Sequence, residues 1–337
     1  MDRITIVGIG SIGASIGLAL KRAKLTNLEV VGSSGNGKAL SAVSKMGAVD
    51  TTTGNLRSAI ANAGLVILDA PVGETQELLE AIGPVLEDGC VVTDTSPTKV
   101  PLMNWADENL PRGVSFVGGR PLPKSVPADI EEADPSIFED TDYCIIPSKS
   151  ADQAAVRTVV GLVERLQAKP LFLDAHEHDS YAAAMTYLPI VMSSAFVTAT
   201  AGSASWREMH RLATSEFRDF SSLASNDPQD NRDASLANPK TLVHWLDRLI
   251  TVLYGFRNQI NDNSEGLFDS FINAWEAHAK WESGAVGSDD EEGRARIPTA
   301  GESMATFMMG GRLAERYREY TARDNKKKAG WKYLRKT

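Results

Sequence analysis

Hydrophobic and polar positions follow two different periodicities in the first half of the chain. Short apolar runs, typical of buried strands, alternate with segments whose apolar residues recur every three or four positions, typical of helices. The predicted strands are Ile4–Val7, Glu29–Gly32, Leu65–Asp69, Cys90–Thr93, Ser115–Val117 and Tyr143–Ile146, with Leu171–Leu173 as a candidate for a last one. The predicted helices are Ile12–Ala23, Lys38–Lys45, Ser58–Ala61, Thr75–Pro84 and Asp152–Gln167. This alternation predicts a parallel, doubly wound α/β sheet with right-handed crossovers.

The second half of the chain changes character, because from His176 onward the pattern is almost entirely helical. The predicted elements are helices over Tyr181–Ala201, Ser205–Ala213, Thr241–Asn261 and Leu267–Trp281, an exposed loop over Gly284–Gly293, and a final helix near Gly311–Tyr320. We therefore place a domain boundary near Asp174. It divides the chain into an α/β domain (residues 1–173) and an all-helical domain (residues 174–337).

The composition is that of an ordinary globular protein, with 337 residues, 42% hydrophobic residues and a net charge of −9. An acidic chain gives no reason to expect nucleic acid or an anionic membrane as a partner. The uncharged stretch between Asp179 and Arg207 is long enough to span a bilayer. Because it contains Pro189 and many small polar residues, we interpret it as a buried helix at the centre of the helical domain or of a dimer.

The two cysteines, Cys90 and Cys144, lie in apolar strand-like runs and are expected to be buried thiols in a reducing cytoplasm. Metal-ligand spacing is absent from the sequence, so no metal site is predicted. The sequence enters a strand at once and shows no signal peptide.

A glycine cluster follows the first strand directly. Gly8, Gly10 and Gly13 have the spacing G-x-G-x-x-G and lie between a predicted strand and a predicted helix. The first glycine allows a tight turn, the second lets the backbone approach a pyrophosphate, and the third lets the helix pack closely on the strand. The start of the helix, at Ser11 and Ile12, would face the anion. This context predicts a dinucleotide site, with a glycine-rich turn of some other α/β protein as the alternative.

The end of the second strand predicts which dinucleotide binds. An acidic residue there would bind the ribose 2′-hydroxyl of NAD, but the chain has Ser33, Ser34, Asn36 and Lys38 instead. These groups can donate hydrogen bonds to a 2′-phosphate, and Lys38 adds positive charge. We therefore expect NADP rather than NAD, unless Lys38 is only a solvated helix residue.

Two further segments follow strands and should lie at the carboxyl edge of the sheet, where ligands bind in open α/β folds. Ala70 and Pro71 follow one strand, and Thr95 and Lys99 follow the next. We expect the first three to contact the cofactor.

These motifs, together with others farther along, make the chain similar to the prephenate/arogenate dehydrogenase (TyrA-like) family. The resemblance covers most of the chain and rests on the glycine fingerprint and on the segments DTSPTK, FVGGRPLPK, DAHEHDSYAAAMTYLPIVMSSAF and EFRDFSSLASNDP. It implies an NAD(P)-binding Rossmann domain joined to an all-helical domain that forms a homodimer. It also implies hydride transfer from a cyclic carboxylated substrate, with loss of carbon dioxide.

The chain departs from the family pattern at polar positions. Arg120 stands where the GxHPM motif has its histidine, Pro97 stands where the DxGS motif has its serine, and Tyr187 stands in the helix motif SHLPH. The first 175 residues contain no histidine at all. Arg218 matches the arginine of the FRD motif, which the resemblance associates with a substrate carboxylate.

The remaining polar residues supply candidates for the chemistry. We expect Tyr187 to exchange a proton, because a phenol near a cation loses its proton more easily. Arg120 and Lys124 could supply that cation or bind a substrate anion, and Lys99 could do either. Arg218 and His178 are candidates for substrate contact.

Each of these candidates also has a structural alternative. Tyr187 could have its hydroxyl on water, Arg120 could pair with the acidic stretch 129–134, and Lys124 could be solvated. Arg218 could pair with Asp219 or Glu216, and His178 could belong to a helix start capped by Asp174.

Three functions stay open at this stage. The first is an NADP-dependent oxidoreductase acting on a small carboxylated substrate other than prephenate, held between the two predicted domains. The second is a prephenate or arogenate dehydrogenase with an altered proton acceptor. The third is a non-catalytic NADP-binding protein.

Overall fold

The computed structural model describes residues 2–286, and its first half is an eight-stranded sheet with the order β3-β2-β1-β4-β5-β6-β7-β8. The strands are β1 Asp2–Val7, β2 Leu28–Ser33, β3 Thr51–Thr53, β4 Leu65–Leu68, β5 Val91–Asp94, β6 Ser115–Pro121, β7 Asp142–Pro147 and β8 Lys169–Phe172. All neighbouring pairs are parallel except β6 and β7. The predicted doubly wound α/β sheet is confirmed. The strand order changes direction at β1, with β2 and β3 on one side of it and β4 to β8 on the other.

Helices cover both faces of the sheet, and the described chain after β8 contains helices without strands. They are α1 Ser11–Arg22, α2 Gly37–Lys45, α3 Leu56–Ile60, α4 Val72–Ile82, α5 Val100–Asn109, α6 Gln153–Arg165, α7 Ala175–Ala182, α8 Leu188–Ala201, α9 Trp206–Met209, α10 Ser215–Ser221, α11 Pro228–Ala237, α12 Pro239–Asn261 and α13 Gly266–Glu282. The short strand β3 and the helix α5 were missed by the sequence analysis. The predicted helix near Gly311–Tyr320 lies outside the described residues, as does most of the predicted loop over Gly284–Gly293.

The buried side chains form one apolar layer on each face of the sheet. Helices α1, α2 and α6 pack on one face, with Ile16 and Val159 fully buried among them. Helices α3, α4 and α5 pack on the other, with Leu79 and Leu102 fully buried. Both predicted thiols, Cys90 and Cys144, are buried and free. The two layers hold the strand ends rigidly, which fixes the edge where polar residues gather.

The described residues fall into two compact units, which divide between Asp247 and Arg248. The first unit contains the sheet and the helices up to the start of α12. In the second unit, the rest of α12 contacts α13 through Phe256 and Phe271, whose ring centroids are 5.5 Å apart. The boundary near Asp174 stays a prediction.

The long uncharged segment forms one continuous helix, Ala175–Ala201, with a π-helical turn at Ala183–Tyr187 between α7 and α8. It is long and apolar enough to cross a membrane, but the core helix of a soluble protein passes the same test. Only 28% of its most apolar window is buried, and Ser193 is the one buried residue of α8. α8 is therefore not buried within the described single chain, and its burial at the centre of a dimer, the other form of the expectation, stays a prediction.

Candidate functional site

The turn between β1 and α1 is shaped by the neighbouring end of β4. Gly8 has a φ of +99°, which side-chain-bearing residues rarely adopt, and a Cβ atom there would lie 2.4 Å from the carbonyl oxygen of Asp69. A Cβ atom on Gly13 would lie 2.4 Å from the Asp69 carboxylate. Glycine is therefore required at both positions, because Asp69 approaches the turn too closely for a side chain.

The carboxylate of Asp69 is hydrogen-bonded to this turn. Its Oδ2 accepts the backbone N–H of Gly10 at 2.6 Å and of Gly13 at 2.7 Å. Its Oδ1 accepts the hydroxyl of Thr95 at 2.6 Å. This contact is not predicted from the sequence, although an acidic residue directly after a buried strand is a visible signal.

The start of α1 still fits a bound pyrophosphate. Gly10 is the N-cap of α1, and among the described residues the N–H groups of Ser11 and Ile12 donate to no protein acceptor. Free N–H groups at the N-terminus of a helix form an anion site. Two of the predicted donors are thus available, whereas Gly10 and Gly13 already donate to Asp69.

A cavity of about 480 Å³ lies beside the turn, at the carboxyl ends of β1 and β2. It is lined by Val7, Gly8, Ser33, Ser34, Gly35, Asn36, Gly54, Leu56, Pro71, Glu74 and Leu78. The structure thus brings together Gly8, Ser33, Ser34, Asn36 and Pro71, which the sequence assigned to the cofactor. Its size and its position at the switch point of the sheet fit the adenosine half of a dinucleotide.

Two details of this cavity modify the cofactor prediction. Asn36 is the N-cap of α2, and its Oδ1 accepts the N–H groups of Lys38 and Ala39. The Lys38 side chain is exposed and does not line the cavity. Glu74, from the first turn of α4, does line it, so the cavity holds a carboxylate that the end of β2 does not supply.

A second group of polar side chains is buried at the ends of β5 and β6. Lys99 is fully buried, and its Nζ donates to Asp94 Oδ2 at 2.5 Å, to Ser96 O at 2.7 Å and to Thr98 O at 3.1 Å. Burial lowers the pKa of Lys99 and raises that of Asp94, and their ion pair opposes both shifts. Since all of its N–H donors are used, Lys99 is not free to bind a substrate, which corrects the sequence-based expectation.

Asp179 connects the helical part of the chain to the sheet. Its carboxylate accepts the N–H of Lys99 at 2.7 Å and of Val100 at 2.8 Å, and the hydroxyl of Thr98 at 3.1 Å. It therefore caps α5 from a distant position in the sequence. Burial raises the pKa of Asp179, but the hydrogen bond with His178 and the N–H groups of Val100 and Lys99 hold it below the ordinary value. Asp179 is not predicted from the sequence, where only its place at the start of the uncharged stretch distinguishes it.

His178 and Arg120 extend this group. His178 is 2% exposed; its Nδ1 lies 2.8 Å from Asp179 Oδ1, and its Nε2 lies 3.4 Å from Arg120 Nη1. Arg120 also donates through Nη2 to the hydroxyl of Thr186 at 2.7 Å and through Nη1 to Pro97 O at 3.4 Å. Asp174 does cap α7, by accepting the N–H groups of His176 and Glu177. His178, one turn inside this start, faces the polar group instead.

Tyr187 lies in the same group, but its phenol holds its proton more tightly than the sequence predicts. Its hydroxyl donates to Pro97 O at 2.8 Å. Burial raises the pKa of Tyr187, and the opposing effect of Arg120 is smaller. The expected easing of proton loss by a nearby cation is therefore wrong for this phenol.

Two candidates lie away from the buried group. Lys124 is exposed in the loop after β6 and has no polar partner among residues 2–286. Arg218 is exposed on α10 and, within the described part of the chain, forms no ion pair with Asp219 or Glu216. The described residues also contain no cluster of side chains that could hold a metal ion.

Two sequence profiles match consecutive parts of the chain. The profile described as the nucleotide-binding domain of prephenate dehydrogenase matches residues 16–171. The profile described as the dimerization domain of prephenate dehydrogenase matches residues 174–273.

Characterised proteins match the chain over most of its length. The chain is 28% identical to the prephenate dehydrogenase of Bacillus subtilis over 276 residues, which cover 81% of this chain and 74% of that protein. It is 30% identical to the prephenate dehydrogenase of Lactococcus lactis over 250 residues, which cover 73% and 68%. It is 24% identical to the cyclohexadienyl dehydrogenase of Zymomonas mobilis over 271 residues, which cover 80% and 92%.

Solved structures share the fold. A crystal structure of prephenate dehydrogenase from A. aeolicus in complex with hydroxyphenyl propionate and NAD+ has a TM-score of 0.77 and 21% identity, covering 83% of this chain and 98% of the other. The arogenate dehydrogenase of Synechocystis has a TM-score of 0.69 and 23% identity, covering 83% and 99%.

Proposed function

The chain belongs to the prephenate dehydrogenase family, and on that premise we propose that it transfers a hydride between NADP and a small carboxylated substrate other than prephenate. Family membership makes it a dehydrogenase with a pyridine-nucleotide cofactor. The non-catalytic alternative loses its support for the same reason. The NADP preference, the substrate class and the roles of individual residues are parts of the proposal.

The hydrogen-bond partners of the Arg120 guanidinium, none of which is charged, carry the proposal. The guanidinium is largely enclosed, and the side chains and carbonyl that accept its hydrogen bonds are all uncharged: Pro97 O, His178 Nε2 and Thr186 Oγ1. No carboxylate lies within ion-pair distance of it in the described part of the chain, so pairing with the acidic stretch 129–134 does not occur. Its Nε–H has no acceptor among these residues.

A largely buried cation with no carboxylate in direct contact is energetically costly, and an anionic ligand would offset that cost. A guanidinium suits a planar carboxylate, because it can donate parallel hydrogen bonds to both oxygens. Arg120 lies near the carboxyl end of β6, and ligands bind at the carboxyl ends of strands in open α/β folds. We therefore assign the substrate carboxylate to Arg120.

The roles of the other residues follow from their geometry. A bound NADP supplies the hydride acceptor or donor at its nicotinamide ring. The N–H groups of Ser11 and Ile12 would bind its pyrophosphate, and the cavity with Ser33, Ser34 and Asn36 would hold its adenosine half. Tyr187 keeps its proton near neutral pH and so does not act as the proton acceptor.

The test is a turnover assay with NADP(H) and NAD(H) against prephenate, arogenate and a panel of cyclic and acyclic hydroxy and keto acids. We expect turnover of a carboxylated compound that is neither prephenate nor arogenate, and loss of that turnover in Arg120→Gln. Tight NADP binding without turnover of any compound in the panel would contradict the proposal.

A prephenate or arogenate dehydrogenase is the second candidate, and the names of the relatives favour it. Arg120 in place of the family's histidine argues against it, because a general acid or base contributes about a hundredfold or more to such a rate. Turnover of prephenate in the assay above, together with rescue of a tyrosine auxotroph, would establish this candidate instead.

The cofactor preference has its own test. Ser34 and Asn36 in the cavity, and the exposed Lys38 at the start of α2, support NADP. The Glu74 carboxylate in the cavity would repel a 2′-phosphate. Titration of both cofactors into the wild type and into Lys38→Ala decides between them. We expect tighter binding of NADP, weakened by the substitution, and tighter binding of NAD would refute the assignment.

We further propose that the protein is a cytoplasmic homodimer, joined through the matched dimerization region. The large apolar side chains of α8, such as Val191, Met192 and Val197, are only half-buried within the described chain, which supports this because incompletely buried apolar surface marks interaction sites. Sedimentation at micromolar concentration is expected to give a dimer, and a monomer would overturn the proposal.

A further inference from the structure

The side chains of Asp179, His178 and Arg120 form a continuous chain of contacts from the capped end of α5 to the proposed substrate site. Asp179 Oδ1 lies 2.8 Å from His178 Nδ1, and His178 Nε2 lies 3.4 Å from Arg120 Nη1. A carboxylate beside Nδ1 assigns the imidazole proton to that nitrogen. Nε2 then presents a lone pair, which accepts the guanidinium N–H.

Several groups determine the charge of His178. Burial lowers its pKa, and the positive charges of Lys99 and Arg120 act in the same direction. Asp179 acts in the opposite direction and does not outweigh them. His178 is therefore neutral around neutral pH and remains a hydrogen-bond acceptor.

A neutral acceptor has a different effect on Arg120 from a carboxylate. A carboxylate in the place of His178 would orient the guanidinium but would also neutralise it. The imidazole orients it and leaves its charge available to a ligand. Thr186, in the π-helical turn, does the same from the other side, with its hydroxyl 2.7 Å from Nη2.

We propose that His178 and Asp179 are positioning residues that hold the Arg120 guanidinium toward an anionic group of the substrate without placing a carboxylate in direct contact with it. This inference rests on the proposed function of Arg120. Asp179 fixes the imidazole and is itself fixed by the N–H groups of Lys99 and Val100, so the alignment of Arg120 depends on how α7 docks on α5.

The test compares a charged probe with a neutral one. The probes are 3-(4-hydroxyphenyl)propionate, whose acid is named in the A. aeolicus complex, and the corresponding propionamide. Calorimetry in the presence of NADP gives the ratio of the two affinities. We expect the wild type to prefer the carboxylate, and His178→Leu to reduce that preference about tenfold because the oriented charge–ligand contact is lost.

The conservative and control variants separate orientation from general damage. His178→Gln keeps an acceptor for Arg120 and should keep the preference within about twofold. His176→Leu changes an exposed histidine of the same helix and should leave it unchanged. If His178→Leu does not fold, His178→Asn replaces it, since its shorter amide leaves the guanidinium unaligned and should lose the preference.

A third measurement determines the protonation state and the tautomer of the His178 imidazole directly. Nitrogen-15 spectra of the wild-type protein at neutral pH should show His178 as the neutral form protonated on Nδ1. A charged imidazole, or the other tautomer, would overturn the inference.

Two outcomes distinguish this inference from the proposed function. If Arg120→Gln abolishes the preference and His178→Leu leaves it intact, or weakens both probes equally, Arg120 binds the anion without positioning by His178. If the wild type shows no preference for the carboxylate, or if Arg120→Gln retains it, the assignment of Arg120 fails and the inference fails with it.

Discussion

At the scale of single residues, the Asp69 carboxylate is the least expected feature of the cofactor side. It accepts two backbone N–H groups of the glycine turn, so it holds the turn in shape before any ligand arrives. It also places a negative charge beside the start of α1, where a pyrophosphate would bind. These two effects oppose each other in cofactor affinity.

Asp69→Asn should separate them. The amide oxygen can still accept from Gly10 and Gly13, while the charge is lost. We therefore expect NADP to bind about fivefold more tightly, because the repulsion between two negative charges at this range is roughly 1 kcal/mol after screening. Calorimetric titration measures this. Thr95→Val, which removes one hydrogen bond and no charge, is the control. Weaker binding in Asp69→Asn would mean that the carboxylate mainly supports the turn.

Two tyrosines near the site offer a matched pair for stability. The hydroxyl of Tyr143 is buried without a partner among the described residues, whereas that of Tyr187 donates to Pro97 O. We expect Tyr143→Phe to leave the free energy of unfolding unchanged or raise it by up to about 1 kcal/mol, and Tyr187→Phe to lower it by about 1 kcal/mol. Urea denaturation of both variants tests this, and equal losses would argue that a water satisfies Tyr143.

At the scale of elements, α5 depends on a residue far away in the sequence. Its segment opens with Val100 and Pro101 and has no capping side chain of its own. The cap is Asp179, eighty positions later along the chain than the N–H of Lys99 that it accepts. The local sequence therefore contains no signal for the start of α5, and for this reason the helix is not predicted from the sequence.

Removal of the two caps of this region should have unequal effects. Asp174→Ala removes a surface cap of α7 and should cost about 1 kcal/mol of unfolding free energy. Asp179→Ala leaves the buried N–H groups of Lys99 and Val100 without an acceptor and should cost about 2–4 kcal/mol. Urea denaturation measures both, and a smaller loss in Asp179→Ala than in Asp174→Ala would contradict the role given to this carboxylate.

At the scale of the whole molecule, the strand pattern was predictable and the polar group was not. Fully apolar runs such as Leu65–Leu68 can only be buried strands or core helices, and their spacing selected the parallel sheet. The glycine turn was found because its chemistry is contiguous in sequence. The grouping of Arg120, His178 and Asp179 brings β6 and α7 together, and nothing local to either segment records that contact.

The same contrast explains the individual errors. Lys99 and Tyr187 were assigned chemistry from their residue types and positions, whereas burial and hydrogen bonding decide it. A lysine whose N–H groups are all satisfied and a phenol with a raised pKa look the same in a sequence as reactive ones. Lys124 and Arg218 stay predictions, since neither contacts the buried group.

Protein stability should depend on pH through His178. Burial and the charges of Arg120 and Lys99 lower its pKa in the folded state, against the opposing effect of Asp179, so below about pH 6.5 the unfolded chain binds the proton more readily. Stability is therefore complete above that pH and declines as the pH falls through the folded-state pKa.

Thermal denaturation between pH 8 and pH 5 checks this expectation. The midpoint should fall on acidification in the wild type and in His176→Gln, and should fall less in His178→Gln, which carries no titrating group at this position. Identical pH profiles for the wild type and His178→Gln would refute it.

The π-helical turn at Ala183–Tyr187 has a consequence for the length of the chain. The N–H of Leu188 bonds to Ala183 O, so this turn contains one residue more than an α-helical turn, and each residue of an α-helix rotates the face by about 100°. Deletion of one residue here would restore regular winding but shift the phase of everything before it. His178 and Thr186 could then no longer contact the same guanidinium. The residue count of this segment is therefore fixed.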